Sequence, residues 1–133
     1  MHQLLQSLCD DGVATPLSEH ELVGFTKDEG SPVTALFLAG NPEKKLETAD
    51  VAVVVRELSK AWPERLRVGV PSPKAERAAM DLADVHTLPS LVFYSSGEKV
   101  ETLRKIQDWS MYAETMARLL SPAAAPKAGG AAA

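Results

Sequence analysis

The sequence predicts an α/β fold, a central mixed sheet flanked by helices, and three features point there. Val33-Thr34-Ala35-Leu36-Phe37-Leu38 is a short, mainly apolar run of strand length, as expected of a strand buried on both faces. Val51, Val54, Val55, Leu58 and Trp62 then form the apolar stripe of a helix that ends before Pro63. Residues 66–70 read as a second strand, which the crossover helix places parallel to the first.

The remaining elements follow in order. Leu4, Leu5, Leu8 and Cys9 share one face at helical spacing, which predicts a short helix ending near Asp10-Asp11-Gly12 with Cys9 directed at the core. In Ser18-Glu19-His20-Glu21 the serine is placed to cap the amide of Glu21 while Glu21 reaches back, and Leu17 can staple onto Leu22. A second short helix is expected from there to about Lys27. Asp28-Glu29-Gly30-Ser31-Pro32 breaks it, and Gly40-Asn41-Pro42 ends the central strand. Pro71 and Pro73 close the second strand, and residues 74–83 form an alanine-rich helix. Residues 91–94 and 99–104, joined through Ser95-Ser96-Gly97-Glu98, predict an antiparallel hairpin. Asp108 is expected to cap a last helix whose Trp109, Tyr112, Met116, Leu119 and Leu120 line one side. Trp62 and Trp109 read as core side chains. Residues 121–133 are Ala/Pro/Gly-rich without apolar periodicity and read as a disordered tail, leaving one domain over residues 1–120.

The order βαβ, helix, ββα is that of a thioredoxin-like fold, here with an N-terminal helical extension. Leu88-Pro89, directly ahead of the first hairpin strand, is where such folds place a cis proline, so Pro89 is expected to be a structural cis-proline at the rim of a peptide-binding face. In thioredoxins the reactive pair follows the central strand and opens the next helix, where the helix dipole helps ionise the first thiol. That place here reads Ala39-Gly40-Asn41-Pro42-Glu43-Lys44-Lys45, with no Cys, Ser or Thr. Cys9 is the single cysteine, so there is no Cys-x-x-Cys pair, and its apolar helix face marks it as structural. The scaffold without the thiols predicts a protein that holds something, with no catalytic residue.

Composition narrows the partners. The net charge of −4 argues against a nucleic-acid binder, which would show a basic face. The longest unbroken aliphatic run is residues 51–55, against roughly 20 residues for a bilayer span, so no membrane insertion is expected. The first residues show no signal-peptide pattern, and the chain reads as cytoplasmic. His2, His20 and His86 lack metal-site spacing, and no phosphate loop or hydrolase elbow is present, so neither metal nor cofactor is predicted. Charge is uneven: residues 1–50 carry nine acids and three bases, residues 51–133 nine acids and eleven bases. That asymmetry reads either as a solvated acidic surface or as a docking face for a basic ligand.

Taken together, Gly40-Asn41-Pro42 followed by Glu47-Thr48-Ala49-Asp50, Arg56-Glu57-Leu58 with Trp62-Pro63, Leu88-Pro89-Ser90-Leu91-Val92-Phe93 and Ile106-Gln107-Asp108-Trp109 resemble the hydrogenase-1 expression protein family of HyaE/HupG type. The resemblance spans about residues 33–120. It implies a non-catalytic, thioredoxin-like chaperone in [NiFe] hydrogenase maturation, binding the small-subunit precursor and its twin-arginine signal peptide before export, with other hydrogenase maturation proteins as further partners. Carboxylates bind guanidinium in bidentate geometry, so an acidic N-terminal half is compatible with that role. Glu43, Glu47 and Asp50, around the start of the helix after the central strand and expected at the surface, are the candidate peptide-binding residues; they also read simply as helix-start charges. The alternatives are a thioredoxin-like adaptor in another assembly and a thiol enzyme using Cys9 alone.

Overall fold

The computed structural model describes residues 1–120. Its elements are α1 (Gln3–Asp10), β1 (Ala14–Leu17), a 3-10 turn (Glu19–Glu21), α2 (Leu22–Thr26), β2 (Val33–Leu38), α3 (Thr48–Ala61), β3 (Leu66–Pro71), α4 (Glu76–Ala83), β4 (Ser90–Ser95), β5 (Glu98–Arg104) and α5 (Trp109–Leu120). They build one five-stranded sheet in the order β1-β3-β2-β4-β5. β1 and β2 run parallel to β3, whereas β4 is antiparallel to both β2 and β5.

The period-2 alternation of β2 splits its side chains between two cores. Val33, Ala35 and Phe37 face α1, α3 and α5, where they meet Leu8, Val51, Val55, Leu58, Tyr112 and Met116. Leu36 and Leu38 face α2 and α4, with Leu22, Phe25, Ala79 and Ala83. All six residues of β2 are buried, as a strand covered on both faces requires. Gly69 in β3 keeps the second layer close: a Cβ there would lie 2.5 Å from Leu17 Cδ1 and 2.7 Å from Phe25 Cε2.

The N-terminal region holds more than helix. Residues 14–17 form an edge strand that pairs with β3 from Ala14↔Val68 to Leu17↔Pro71. Pro16 is tolerated because it lies on an edge, where a missing amide breaks no central ladder, and its presence hides the strand from a reading by propensity. Arg56 of α3 ties α1 to the body of the fold, donating to Asp11 Oδ2 at 2.8 Å and to Ser7 Oγ at 2.7 Å. At the 3-10 turn the Glu21 carboxylate accepts from the Ser18 amide at 2.8 Å and the Ser18 hydroxyl at 3.1 Å, and these bonds lower the Glu21 pKa. The Glu21 amide bonds the Ser18 backbone carbonyl at 3.0 Å.

Between β4 and β5 the two turn residues, Ser96 and Gly97, both have positive φ (53° and 81°), the geometry that suits the twist of a two-residue hairpin. Tyr112 and Met116 of α5 are fully buried, but Trp109 is not a core residue: it is 44% exposed. Its ring leans on half-buried Trp62 with centroids 6.4 Å apart, so the pair covers the end of the first core instead of filling it. The expected tail, residues 121–133, lies outside the described residues. Among those described, no helix is long and apolar enough to cross a membrane.

Candidate functional site

Parallel strands in α/β sheets present ligand sites beyond their carboxyl ends. Here the ends of β2 and β3 open into a cleft of about 350 Å³, lined by Met1, His2, Leu5, residues 40–43, Pro71, Pro73 and Glu76. The connection from β2 to α3 forms one wall. It begins at Gly40, whose φ of 74° is available to glycine at little cost, and a Cβ there would press on Lys45 Cγ at 3.1 Å and Leu88 Cβ at 3.3 Å.

Side chains pin this connection at both ends. The Gly40 amide donates to Glu76 Oε2 at 2.9 Å. The buried Thr48 hydroxyl donates to the Ala39 carbonyl at 2.6 Å. Between them, Asn41 closes the turn by accepting the amides of Lys44 and Lys45 on its carbonyl and that of Glu43 on Oδ1. Because α3 starts only at Thr48, no helix N-terminus stands at residues 40–43. Besides the missing nucleophile, the site therefore lacks the dipole that would ionise one.

The three candidate acids are parted by this geometry. Glu43 is exposed at the cleft, its Oε2 3.7 Å from His2 Nε2. His2 is itself held by α1, whose Leu4 amide donates to Nδ1 at 3.0 Å. Glu47 points the other way and is half-buried: its Oε1 accepts the Ile106 amide at 2.8 Å, which anchors the β5–α5 connection. Surface exposure, expected for all three, thus fails for Glu47, because an otherwise unpaired backbone amide recruits it. Asp50 is exposed in the first turn of α3 and lines neither depression of this face. Glu76 and His2, absent from the sequence-derived set, are the side chains that join Glu43. Their positions at a helix start and at a chain segment far from residue 43 become neighbours only through the parallel topology.

On the far side of the same connection lies a second depression of about 310 Å³, lined by Lys44, Lys45, Leu46, Glu47, Leu88, Pro89 and Lys105. The Leu88–Pro89 peptide bond beside it is cis. Cys9 is remote in role from both: it is half-buried against the first core, and burial, followed by the charge of Asp10, raises its thiol pKa. No group of three or more His, Cys, Asp or Glu residues able to hold a metal occurs among the described residues.

The profile of the family described as hydrogenase-1 expression protein HyaE matches residues 4–112. The chain belongs to the HyaE family. Among relatives, the hydrogenase expression/formation protein HupG of Bradyrhizobium diazoefficiens is 38% identical over 93 residues, a match spanning 70% of this chain and 63% of that protein. A crystal structure described as a hydrogenase expression/formation protein HupG from Rhodopseudomonas palustris superimposes with a TM-score of 0.54 at 33% identity, covering 80% of this chain and 95% of the other. Thioredoxin from Plasmodium falciparum reaches a TM-score of 0.61 at 16% identity over 76% of this chain and 94% of its own, which shows the shared thioredoxin-like fold. The HyaE profile begins inside α1 and includes β1 and α2, so the family covers the N-terminal region that the sequence motifs barely touch.

Proposed function

We propose that this protein works without catalysis in the cytoplasmic maturation of a [NiFe] hydrogenase, as a chaperone that binds the small-subunit precursor through its twin-arginine signal peptide before export. The observation that carries the reading is the cleft beyond β2: at the place where thioredoxins carry their reactive pair, this member of the HyaE family has Gly40, Asn41, Pro42 and Glu43 beside a second carboxylate, Glu76. Prolines and Leu5 offer apolar walls, and the carboxylates supply the acceptors a guanidinium needs. Of the sequence-derived set, Glu43 is the leading contact; the Glu47 carboxylate is engaged by the Ile106 amide and Asp50 lies outside the cleft. A half-buried thiol with a raised pKa is a poor nucleophile, which weighs against an enzyme built on Cys9.

The test is titration of the full chain with a twin-arginine signal peptide and with the same peptide carrying two lysines. Tighter binding of the arginine form, weakened several-fold by Glu43→Gln plus Glu76→Gln, is expected, with a flatter salt dependence. Gln at residue 76 keeps an oxygen for the Gly40 amide, so the wall of the cleft stays in place. Equal affinity for both peptides, or no loss in the double variant, would move recognition elsewhere. Cys9→Ser is expected to leave hydrogenase maturation intact.

A further inference from the structure

We infer that the depression beside Pro89 is a second binding site, one that takes an acidic protein segment carrying an apolar side chain. This site is separate from the cleft of the proposed function and has the opposite charge. Lys44, Lys45 and Lys105 converge on it from two connections far apart in sequence. Among the described residues none of the three has a carboxylate within ion-pair distance, as is also true of Lys27, Arg65, Lys74, Lys99 and Arg104; what sets these three apart is that they line one depression. Glu47 is the acid that lines the depression, and its Oε1 is taken up by the Ile106 amide. Leu46 stands 86% exposed between the lysines, the most exposed of the large apolar side chains.

Two details favour a peptide over a phosphate-bearing ligand. Phosphate sites use converging backbone amides, but here the amides of Lys44 and Lys45 are bound to the Asn41 carbonyl and that of Lys105 to the Pro89 carbonyl at 2.7 Å. Leu46 and Leu88 add apolar surface, which a carboxylate-rich segment with one apolar residue matches and a phosphate does not. Lys105 also occupies a left-handed backbone position, φ 57°, where glycine or asparagine is the easier residue.

The probe is a fluorescein-labelled pentapeptide, Asp-Glu-Leu-Glu-Asp, followed by anisotropy with the full chain at low ionic strength, with its Asn/Gln counterpart as control. The acidic peptide is expected to bind and the neutral one not, and the combined reversal of Lys44, Lys45 and Lys105 to Glu is expected to weaken binding by roughly tenfold or more. Leu46→Ser should weaken it by a smaller factor, whereas reversal of Lys60, which already pairs with Glu57, should change little. Lys105→Gly separates recognition from folding: it should raise the melting temperature and still lower affinity. Equal loss on reversing Lys60, binding of the neutral peptide, or full competition by inorganic phosphate or a single-stranded oligonucleotide would each overturn the inference, as would undiminished affinity in Lys105→Gly. The twin-arginine titration is read in the same variants; failure of the acidic site leaves that titration unchanged.

Discussion

The two sides of the connection at residues 40–47 face different chemistry although they are built from adjacent residues. Glu43 turns toward the cleft beyond β2, where His2 and Glu76 meet it; Lys44, Lys45 and Leu46 turn toward the depression beside Pro89, where Lys105 meets them. A count of acids over residues 1–50 merges these two surfaces into a single negative region. The structure separates them by a turn closed on Asn41 and by the diversion of Glu47 into a backbone contact. Net charge over a stretch of chain therefore says little about either face; which side of a turn each residue takes decides it.

The largest effect on this partition is expected from Glu47→Ala. Removing the carboxylate strands the part-buried Ile106 amide, at a cost of about 1–3 kcal/mol, and frees the connection that positions Lys105. Chemical denaturation should show the loss, and Glu47→Gln, which retains an oxygen acceptor, should recover most of it. A stable Glu47→Ala protein with weakened arginine-peptide binding would instead make Glu47 a ligand, as its place in the sequence first implied.

Tyr112 holds the same connection from the other side. Its hydroxyl accepts the Gln107 amide at 3.2 Å and donates to the Lys105 carbonyl at 3.3 Å, while the ring is fully buried. Tyr112→Phe keeps the packing and loses both bonds, so about 1–2 kcal/mol of stability should go; acidic-peptide binding should weaken and arginine-peptide binding persist. The contrast is Tyr94, on the opposite face of the sheet, whose buried hydroxyl has no hydrogen-bond partner among the described residues. Tyr94→Phe should be neutral or stabilising. Burial raises both phenol pKa values above the ordinary 10.0, so the unfolded chain ionises first. Stability should fall as pH rises through about 10, and less steeply in each Phe variant.

How much of this was legible without coordinates follows from where each contact originates. Strands β2 and β3, the hairpin and the apolar stripes of α3 and α5 depend on spacing within a dozen residues, and periodicity reveals them. β1 escaped because four residues with a proline carry no strand signal of their own; pairing with β3 makes the strand. The emptied nucleophile position was plain from residues 39–45. Glu76 at Gly40, Glu47 at Ile106 and Lys105 beside Lys45 were not, because each joins segments 36 to 60 residues apart through the sheet. Trp109 misled for a related reason: helical spacing places it on the apolar side, but it falls at the first turn of α5, beyond the edge of the core, where Trp62 is its cover.

Exchange of charge across the turn gives a sharper and smaller effect. Glu43→Lys should weaken the arginine peptide several-fold and leave the acidic peptide as tight or slightly tighter, since an exposed charge acts over roughly a Debye length of 8–10 Å. Lys45→Glu should do the reverse. Both changes sit on the exposed turn and should shift the melting temperature little. If either reversal moved both peptides in the same direction by the same factor, the two depressions would be one continuous surface and the partition would not exist.

Asp50→Asn should change least, and the reason is geometric. The side chain is exposed, in the first turn of α3, and lines neither depression. What remains for it is the favourable interaction of a negative charge with the positive end of the helix, about 0.3–1 kcal/mol at an exposed position and reduced by salt. Asn at this position removes the charge and keeps the shape. Denaturation at low and high ionic strength should show a small loss that salt erases, and both peptide affinities should stay within error. A several-fold drop in arginine-peptide affinity with unchanged stability would show that the signal peptide runs out of the cleft and along α3, which would join Asp50 to Glu43 on a surface longer than the cleft itself.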